Sequence, residues 1–135
     1  MKAHKPITVS VHGKIISIDK GVRTLILLLN KIPELETYNS CQGGSGELDA
    51  YVQFGGVGAF SLLASLAQRI LIEDNSWKRK HRHVCRGCNR MSVYLEISGN
   101  GINLRWLPRD YHRVLRIVKT SQHVFKRGGT SARRA

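Results

Sequence analysis

Hydrophobic and polar residues alternate at the start of the chain. Every second residue from Ile7 to Val11 is apolar, which is the pattern of a strand with one buried face. The dipeptide His12-Gly13 can then turn the chain into a second short strand near 14–18. The first part of the sequence therefore predicts a β-hairpin.

Three later segments carry apolar residues at helical spacing. The first follows Asp19 and ends before Pro33, because proline disfavours helical geometry in the preceding residue. The second follows the glycine-rich residues 55–58, and its predicted core face consists of Phe60, Leu63, Ala64, Ala67, Ile70 and Leu71. The third runs from Pro108, which suits a first helical turn, to about Phe125. Its predicted core face consists of Tyr111, Val114, Leu115, Val118 and Phe125.

Further strands are predicted between these helices. Two short ones lie near 36–40 and 49–54, and a hairpin is centred on Asn100-Gly101. An Asn-Gly loop of two residues sets the register of the strands on either side. The predicted cross-strand pairs are Ile97 with Leu104, Leu95 with Trp106, and Glu96 with Arg105.

The elements follow the order ββα-ββα-ββα, which predicts an α+β fold. We expect a mostly antiparallel sheet that carries three helices on one face. Residues 1–125 are predicted to form a single domain, with a basic loop at 74–90. Residues 126–135 are predicted to be a disordered basic tail.

The charge of the chain is unevenly distributed. The 135 residues carry a formal net charge of +13. Residues 1–75 contain seven cationic and seven acidic side chains, whereas residues 76–135 contain fifteen and two. This asymmetry excludes an acidic solvating protein, disfavours a metabolic enzyme with a neutral surface, and indicates a polyanionic partner for the second half.

The third helix carries a basic side opposite its core face. At about 100° per residue, this side consists of Arg109, His112, Arg113, Arg116, Lys119 and His123. Guanidinium groups form paired hydrogen bonds with phosphate oxygens, so the stripe could follow a phosphate backbone. The alternative is an ordinary solvated face, although such a face usually mixes charges of both signs.

The predicted loop at 74–90 is a second basic region. Its cationic side chains are Lys78, Arg79, Lys80, Arg82 and Arg86. Trp77 could stack on an unpaired base beside them, or it could anchor the end of the second helix in the core. Such a run of cations indicates affinity for nucleic acid rather than sequence specificity.

The cysteines are candidate zinc ligands. Cys85 and Cys88 have the C-x-x-C spacing of a zinc knuckle, and Cys41 with His83 or His81 could complete the site. The alternatives are a redox dithiol and thiols without a special role. Three cysteines form no disulfide framework, and the N-terminal residues lack an apolar stretch, so we expect a cytoplasmic protein without a membrane segment.

Two loops between predicted elements could bind a ligand. The glycines at 55–58 follow a strand and precede a helix, so they form either an anion site or a tight connection. Ser40, Cys41 and Gly43 lie in a helix, strand, Ser-Cys-x-Gly, strand, helix arrangement over residues 19–72. This arrangement resembles small prokaryotic and phage proteins. More distantly it is similar to the wybutosine-synthesis family of tRNA methyltransferase-like proteins, whose motif is Ser-Ser-Cys-Ser-Gly.

That resemblance implies a module associated with RNA. Asn39 and Gln42 replace the family's two other serines, and its later motifs are absent, so methyl transfer is not implied. Together with the basic second half, it predicts a small, non-enzymatic protein that binds nucleic acid, with RNA favoured over DNA. The alternatives are a phage-type interaction or inhibitor protein that binds a host ribonucleoprotein or defence complex, and a tRNA-modification-like enzyme using the Ser40-Cys41 loop.

Overall fold

The computed structural model describes residues 6–44, 49–80, 91–99 and 101–134, with the backbone alone from residue 123 onward. It confirms the α+β class and the ββα order. The strands are β1 (Pro6–Val11), β2 (Lys14–Asp19), β3 (Glu36–Cys41), β4 (Ala50–Gly55), β5 (Tyr94–Ser98) and β6 (Gly101–Trp106). The helices are α1 (Arg23–Leu29), α2 (Val57–Lys80) and α3 (Tyr111–Arg134), and 3₁₀ turns at Lys20–Val22 and Pro108–Asp110 precede α1 and α3.

The strands form two antiparallel sheets. Strands β1 and β2 pair as the predicted hairpin, and His12 and Gly13 both have positive φ at its turn. The other four strands form a sheet in the order β3-β4-β6-β5. In β4 and β6, residues on one face are buried and those on the other are partly exposed. The helices pack on the buried face, and we call the opposite face, which is partly exposed among the described residues, the open face.

The core lies between the four-stranded sheet and the three helices. Its largest fully buried side chains include Trp106 and Phe54 from the sheet and Leu25, Leu62 and Ile117 from the helices. The predicted core face of α3 is confirmed at Val114 and Val118, which are buried, and at Tyr111 and Leu115, which are partly buried. Phe125 lies beyond the side chains that the structure describes.

The register predicted for the last hairpin is wrong. Ser98 pairs with Gly101, so the strands are joined over residues 99–100 rather than 100–101, and Leu95 faces Leu104 instead of Trp106. Gly101 is the first residue of β6 and has a φ of +129°, and a Cβ atom there would lie 2.5 Å from the carbonyl oxygen of Phe54. Glycine is therefore required both by the positive φ and by the close approach of β4. A shift of two residues leaves each side chain on its predicted face.

The remaining predicted pairs of this hairpin change in the same way. Ile97 pairs with Ile102 and Glu96 with Asn103. Glu96 nevertheless forms an ion pair with Arg105, which is now its diagonal neighbour across the strands.

The predicted core face of α2 is confirmed only at Leu63 and Ile70, which are partly buried against the core, and the predicted start of the basic loop is wrong. The fully buried residues of α2 are Gly58, Ala59, Leu62 and Leu66, whereas Phe60 and Leu71 are about two-thirds exposed. Residues 74–80 continue α2 instead of forming a loop, because Glu73 and Trp77 extend the buried side of the helix against α3. Residues 81–90 lie outside the described part of the chain.

Helix α3 is longer than predicted, since its backbone continues beyond Phe125 to Arg134. Most of the segment predicted to be a disordered tail, 126–135, therefore falls within the bounds of α3.

The glycines at the start of α2 form a tight connection. The amide of Gly58 donates to the carbonyl oxygen of Glu34 at 3.0 Å. A Cβ atom at position 58 would lie 2.0 Å from the carbonyl oxygen of Pro33. These glycines therefore let α2 begin directly against the turn before β3, and the amide of Gly58 is occupied by the protein itself.

Candidate nucleic-acid interface

Helices α2 and α3 pack in opposite directions, which determines where their cations meet. Glu73 on α2 contacts Arg116 on α3, and one turn later Trp77 lies against Arg113. The end of α2 is therefore beside the start of α3. The segment that carries Lys78, Arg79 and Lys80 is at the same end of the helix pair as the turn that contains Arg109.

Arg113 is enclosed between the two helices. Its guanidinium carbon is 4.4 Å from the centre of the Trp77 ring, and its Nε atom is 3.3 Å from a carboxylate oxygen of Asp110. Only 17% of its side chain is exposed. The prediction that Arg113 belongs to the exposed basic side opposite the core is therefore wrong, because the side chain joins α3 to α2.

Arg116 is exposed but has an acidic partner. Its Nε and terminal nitrogen atoms donate to the two carboxylate oxygens of Glu73 at 2.7 and 2.6 Å. This paired contact raises the pKa of the guanidinium further, so the group stays charged. Half of the Arg116 side chain remains accessible, although part of its charge is offset by Glu73.

The start of α3 is fixed by a buried carboxylate. Asp110 accepts hydrogen bonds from the backbone amide of Ser92 at 3.0 Å and from the Ser92 hydroxyl at 2.6 Å. The same hydroxyl accepts a bond from the amide of Leu107. This network positions the chain before β5 against the turn that precedes α3, which also contains Arg109.

We call Lys78, Arg79, Lys80 and Arg109 the basic end. Arg79, Lys80 and Arg109 are exposed, and Lys78 forms an ion pair with Asp74 at 3.1 Å. Arg109 approaches Asp110 only to 3.9 Å. Of the other residues predicted to contact nucleic acid, Arg82 and Arg86 lie outside the described chain.

The exposed side of α3 continues from the basic end. His112, Arg116 and Lys119 lie on it, as predicted, while the side chain of His123 is outside the described part. Across the basic end, Arg113 and this side, seven Lys and Arg side chains meet the three carboxylates of Glu73, Asp74 and Asp110. A positive excess therefore remains among the described residues of this surface.

The open face of the sheet carries a row of aromatic and charged side chains near the same end. Tyr51 and Tyr94 are both register partners of Arg105. The Arg105 guanidinium lies over the Tyr51 ring at 5.2 Å, whereas Tyr94 is 44% exposed. Partial burial and the nearby carboxylate of Asp49, which accepts its hydroxyl bond, raise the pKa of Tyr94. Tyr94 is therefore a neutral, accessible ring two residues from Ser92.

The Ser40-Cys41 loop is held by its neighbour Gln42. The Gln42 amide donates to Asp19, and the Gln42 side-chain oxygen accepts from the amide of Gly21 at 2.8 Å. The sulfur of Cys41, which is half-buried, accepts from the amide of Gly43 at 3.5 Å. These bonds attach the end of β3 to the turn before α1, which accounts for the loop in structural terms.

The zinc prediction concerns mostly residues outside the described chain. His81, His83, Cys85 and Cys88 fall in that part, and Cys41 lies at the end of β3. Within residues 6–44, 49–80, 91–99 and 101–134, no three His, Cys, Asp or Glu side chains are grouped to hold a metal ion. Zinc binding stays a prediction.

Sequence reasoning missed the contacts by which two acids, Glu73 and Asp110, engage the arginines. Glu73 falls on the buried side of α2 together with Leu62, Leu66 and Trp77, at intervals of four, seven and four residues. That spacing was available in the sequence, but it becomes visible only when α2 is extended past Ile72. The bonds of Asp110 with Ser92 connect residues 18 positions apart and leave no local pattern.

No protein-family model, curated protein or solved structure matches this chain. In the part of the chain that the structure describes, none of the helices has both the length and the apolar character needed to cross a membrane.

Proposed function

We propose that this protein binds nucleic acid without catalysing a reaction on it, and that RNA is preferred to DNA. The observation that carries the proposal is the basic end, where the antiparallel packing of α2 and α3 brings together cations from two separate segments. Arg79, Lys80 and Arg109 are exposed there. Convergent cations with few acidic partners favour a polyanion over a neutral ligand.

The phosphate backbone is the part of the ligand that this surface fits. Arginine forks bind phosphate oxygens in pairs, and lysine adds a compact charge. From Arg109 to Lys119 the exposed side of α3 extends for about 15 Å at the rise of an α-helix. The basic end and this side therefore supply several phosphate contacts in succession, with affinity that depends strongly on salt.

Two features favour RNA, and a single strand in particular. The first is the Ser-Cys-x-Gly resemblance to an RNA-associated family. The second is Tyr94, which is 44% exposed and lies two residues from Ser92, the hydrogen-bond partner of Asp110 at the start of α3. Unpaired bases stack on such rings, whereas a duplex keeps its bases covered. Glu96 pairs with Arg105, so we assign this row to stacking rather than to phosphate binding.

Removing charge from the basic end tests the proposal. The triple variant Arg79→Gln, Lys80→Gln, Arg109→Gln should weaken binding to single-stranded RNA regardless of its sequence. The slope of log K against log salt should fall by roughly two units, since each phosphate contact to a single strand contributes about 0.7. Fluorescence anisotropy across a salt series measures both quantities.

The matched control removes three exposed cations elsewhere, through Lys20→Gln, Arg23→Gln and Lys31→Gln. We expect this control to keep the wild-type slope. Equal losses in the two triple variants, or wild-type protein without salt-dependent binding to RNA or DNA, would overturn the proposal. The second outcome would favour the alternative of a protein partner such as a host ribonucleoprotein.

Two further arms of the same titration refine it. Glu73→Gln should strengthen binding, because Arg116 loses its acidic partner, whereas Glu36→Gln removes the same charge from β3 and should change little. Tyr94→Leu should weaken binding to single-stranded RNA and leave duplex DNA unaffected. Equal effects of Tyr94→Leu on both ligands would contradict the assignment of stacking to this ring.

A further inference from the structure

One side of α2 exposes apolar side chains that pack against no other element among the described residues. Val57, Phe60 and Leu71 are 67%, 61% and 62% exposed, and Ala64 and Ala67 between them are also exposed. Single exposed apolar residues are ordinary on a protein surface, but a continuous row of them indicates an interface. We call these five residues the outer stripe.

The outer stripe has the spacing of a helix-pairing seam. Its members follow one another at intervals of three, four, three and four residues, which is the a/d pattern of a coiled coil. At about 100° per residue the stripe lies opposite Leu62 and Leu66, which fill the core. Helix α2 thus has one apolar side for its own fold and a second, narrower one for another helix.

The charge around the outer stripe suits a second copy of this chain. Between Val57 and Ile72 the only charged residue is Arg69, which lies on the side toward the core rather than on the stripe. A chain with a net charge of +13 would normally resist self-association. On this side of α2 two copies can approach without bringing cations together.

The order of residue sizes matches an antiparallel pair with a two-fold axis between positions 65 and 66. In that arrangement Phe60 faces the partner's Leu71, and Ala64 faces the partner's Ala67. The two alanines at the centre let the helix axes approach closely, and the large side chains close the ends. The seam is therefore complementary to itself, as a two-fold interface requires.

The same arrangement gives charge complementarity at each end of the pair. It places Asp74, which also forms an ion pair with Lys78 of its own helix at 3.1 Å, beside the first turn of the partner's α2, which contains no acidic residue of its own. A carboxylate at a helix N-terminus is stabilised by the helix dipole. From the spacing, the size order and this contact we infer that α2 pairs antiparallel with α2 of a second copy, which makes the protein a two-fold dimer.

Sedimentation equilibrium of nuclease-treated protein, over a range of concentrations, tests the dimer and its direction. Wild-type protein should sediment as two chains. Phe60→Lys or Leu71→Glu alone should weaken dimerisation by roughly a hundredfold or more, because each dimer loses two apolar contacts and must desolvate two charges. Both side chains are exposed in the monomer, so circular dichroism should report an unchanged fold.

The double variant Phe60→Lys, Leu71→Glu decides the direction. In the antiparallel pair each introduced lysine faces an introduced glutamate, so dimerisation should recover at moderate salt. A parallel pair would set like charges against each other, and no recovery would overturn the inferred arrangement. Ile15→Lys, at an apolar site on β2 that is 78% exposed, is the matched control and should leave the mass unchanged. Wild-type protein that sediments as one chain at every concentration would overturn the dimer itself.

Discussion

Helices α2 and α3 are both 24 residues long and pack against each other, yet they distribute their apolar residues differently. Over the described side chains, α3 has one apolar side and one basic side, so its burial follows directly from its pattern. Helix α2 has apolar residues on both sides and places its charges in its second half. A helical period therefore identifies a buried side reliably only when the opposite side is polar.

The difference also separates two kinds of surface. The exposed side of α3 is basic and suits a phosphate backbone, whereas the exposed side of α2 is apolar and suits another helix. Glu73 joins the two helices through Arg116 and limits the positive charge where they meet. The two surfaces can therefore be removed independently by substitution, which allows each role to be tested alone.

The largest expected difference is between leucine-to-alanine substitutions on the two sides of α2, measured as the change in the free energy of unfolding. Leu66 is fully buried, and Leu66→Ala should lower the free energy of unfolding by about 2 to 5 kcal/mol through lost burial and a cavity. Leu71→Ala makes the same chemical change at a side chain that is 62% exposed, and it should cost less than about 0.5 kcal/mol. Urea denaturation of dilute, monomeric protein measures both. Equal costs would contradict the difference in burial between Leu66 and Leu71.

Features that depend on residues close in sequence could be predicted well, whereas features that depend on tertiary contacts could not. The turn at His12-Gly13 and the strand near 49–54 follow local rules, and both are confirmed. Which of its two apolar sides α2 buries depends on the packing against α3, and no local rule determines that packing. The requirement for glycine at position 101 is also partly tertiary, because a Cβ atom there would collide with the carbonyl oxygen of Phe54 on a neighbouring strand.

The candidate site divides in the same way. Helical spacing placed His112, Arg116 and Lys119 on one exposed side, as the structure also has them. It could not reveal that Arg113 is enclosed by Trp77 and Asp110, because that contact needs the end of α2 to pack beside α3. Charge at a helix surface is therefore predictable from sequence, whereas the partner of each charge is not.

Arg113 and Lys119 sharpen the distinction between charges that hold the helices and charges that are free to bind. Arg113→Gln should destabilise the fold by about 1 to 3 kcal/mol, because it removes the cation–π contact with Trp77 and the ion pair with Asp110. Lys119→Gln, at an exposed position, should change stability by less than about 0.5 kcal/mol.

The order should reverse for binding to single-stranded RNA. Lys119→Gln should lower the salt slope by about 0.7, whereas folded Arg113→Gln protein should nearly keep the wild-type slope, since that guanidinium already has partners. Thermal unfolding and salt-dependent anisotropy supply the two measurements. A larger change in the salt slope for Arg113→Gln than for Lys119→Gln would contradict the assignment of the phosphate contact to Lys119.

The smallest effect concerns how α3 is anchored at its other neighbour, α1. Burial raises the pKa of the Tyr111 phenol above its ordinary value, although its oxygen accepts a bond from the amide of Leu25 at 3.4 Å. The folded chain therefore keeps a proton that the unfolded chain releases above about pH 10. Stability contributed in this way is complete below that pH and is lost as the pH rises through the raised pKa.

Urea midpoints measured between about pH 8 and pH 11 should fall less steeply in Tyr111→Phe than in wild type. Tyr94→Phe, at a more exposed ring, should change the slope less, and equal slopes in wild type and Tyr111→Phe would mean that the phenol is solvated in the folded state.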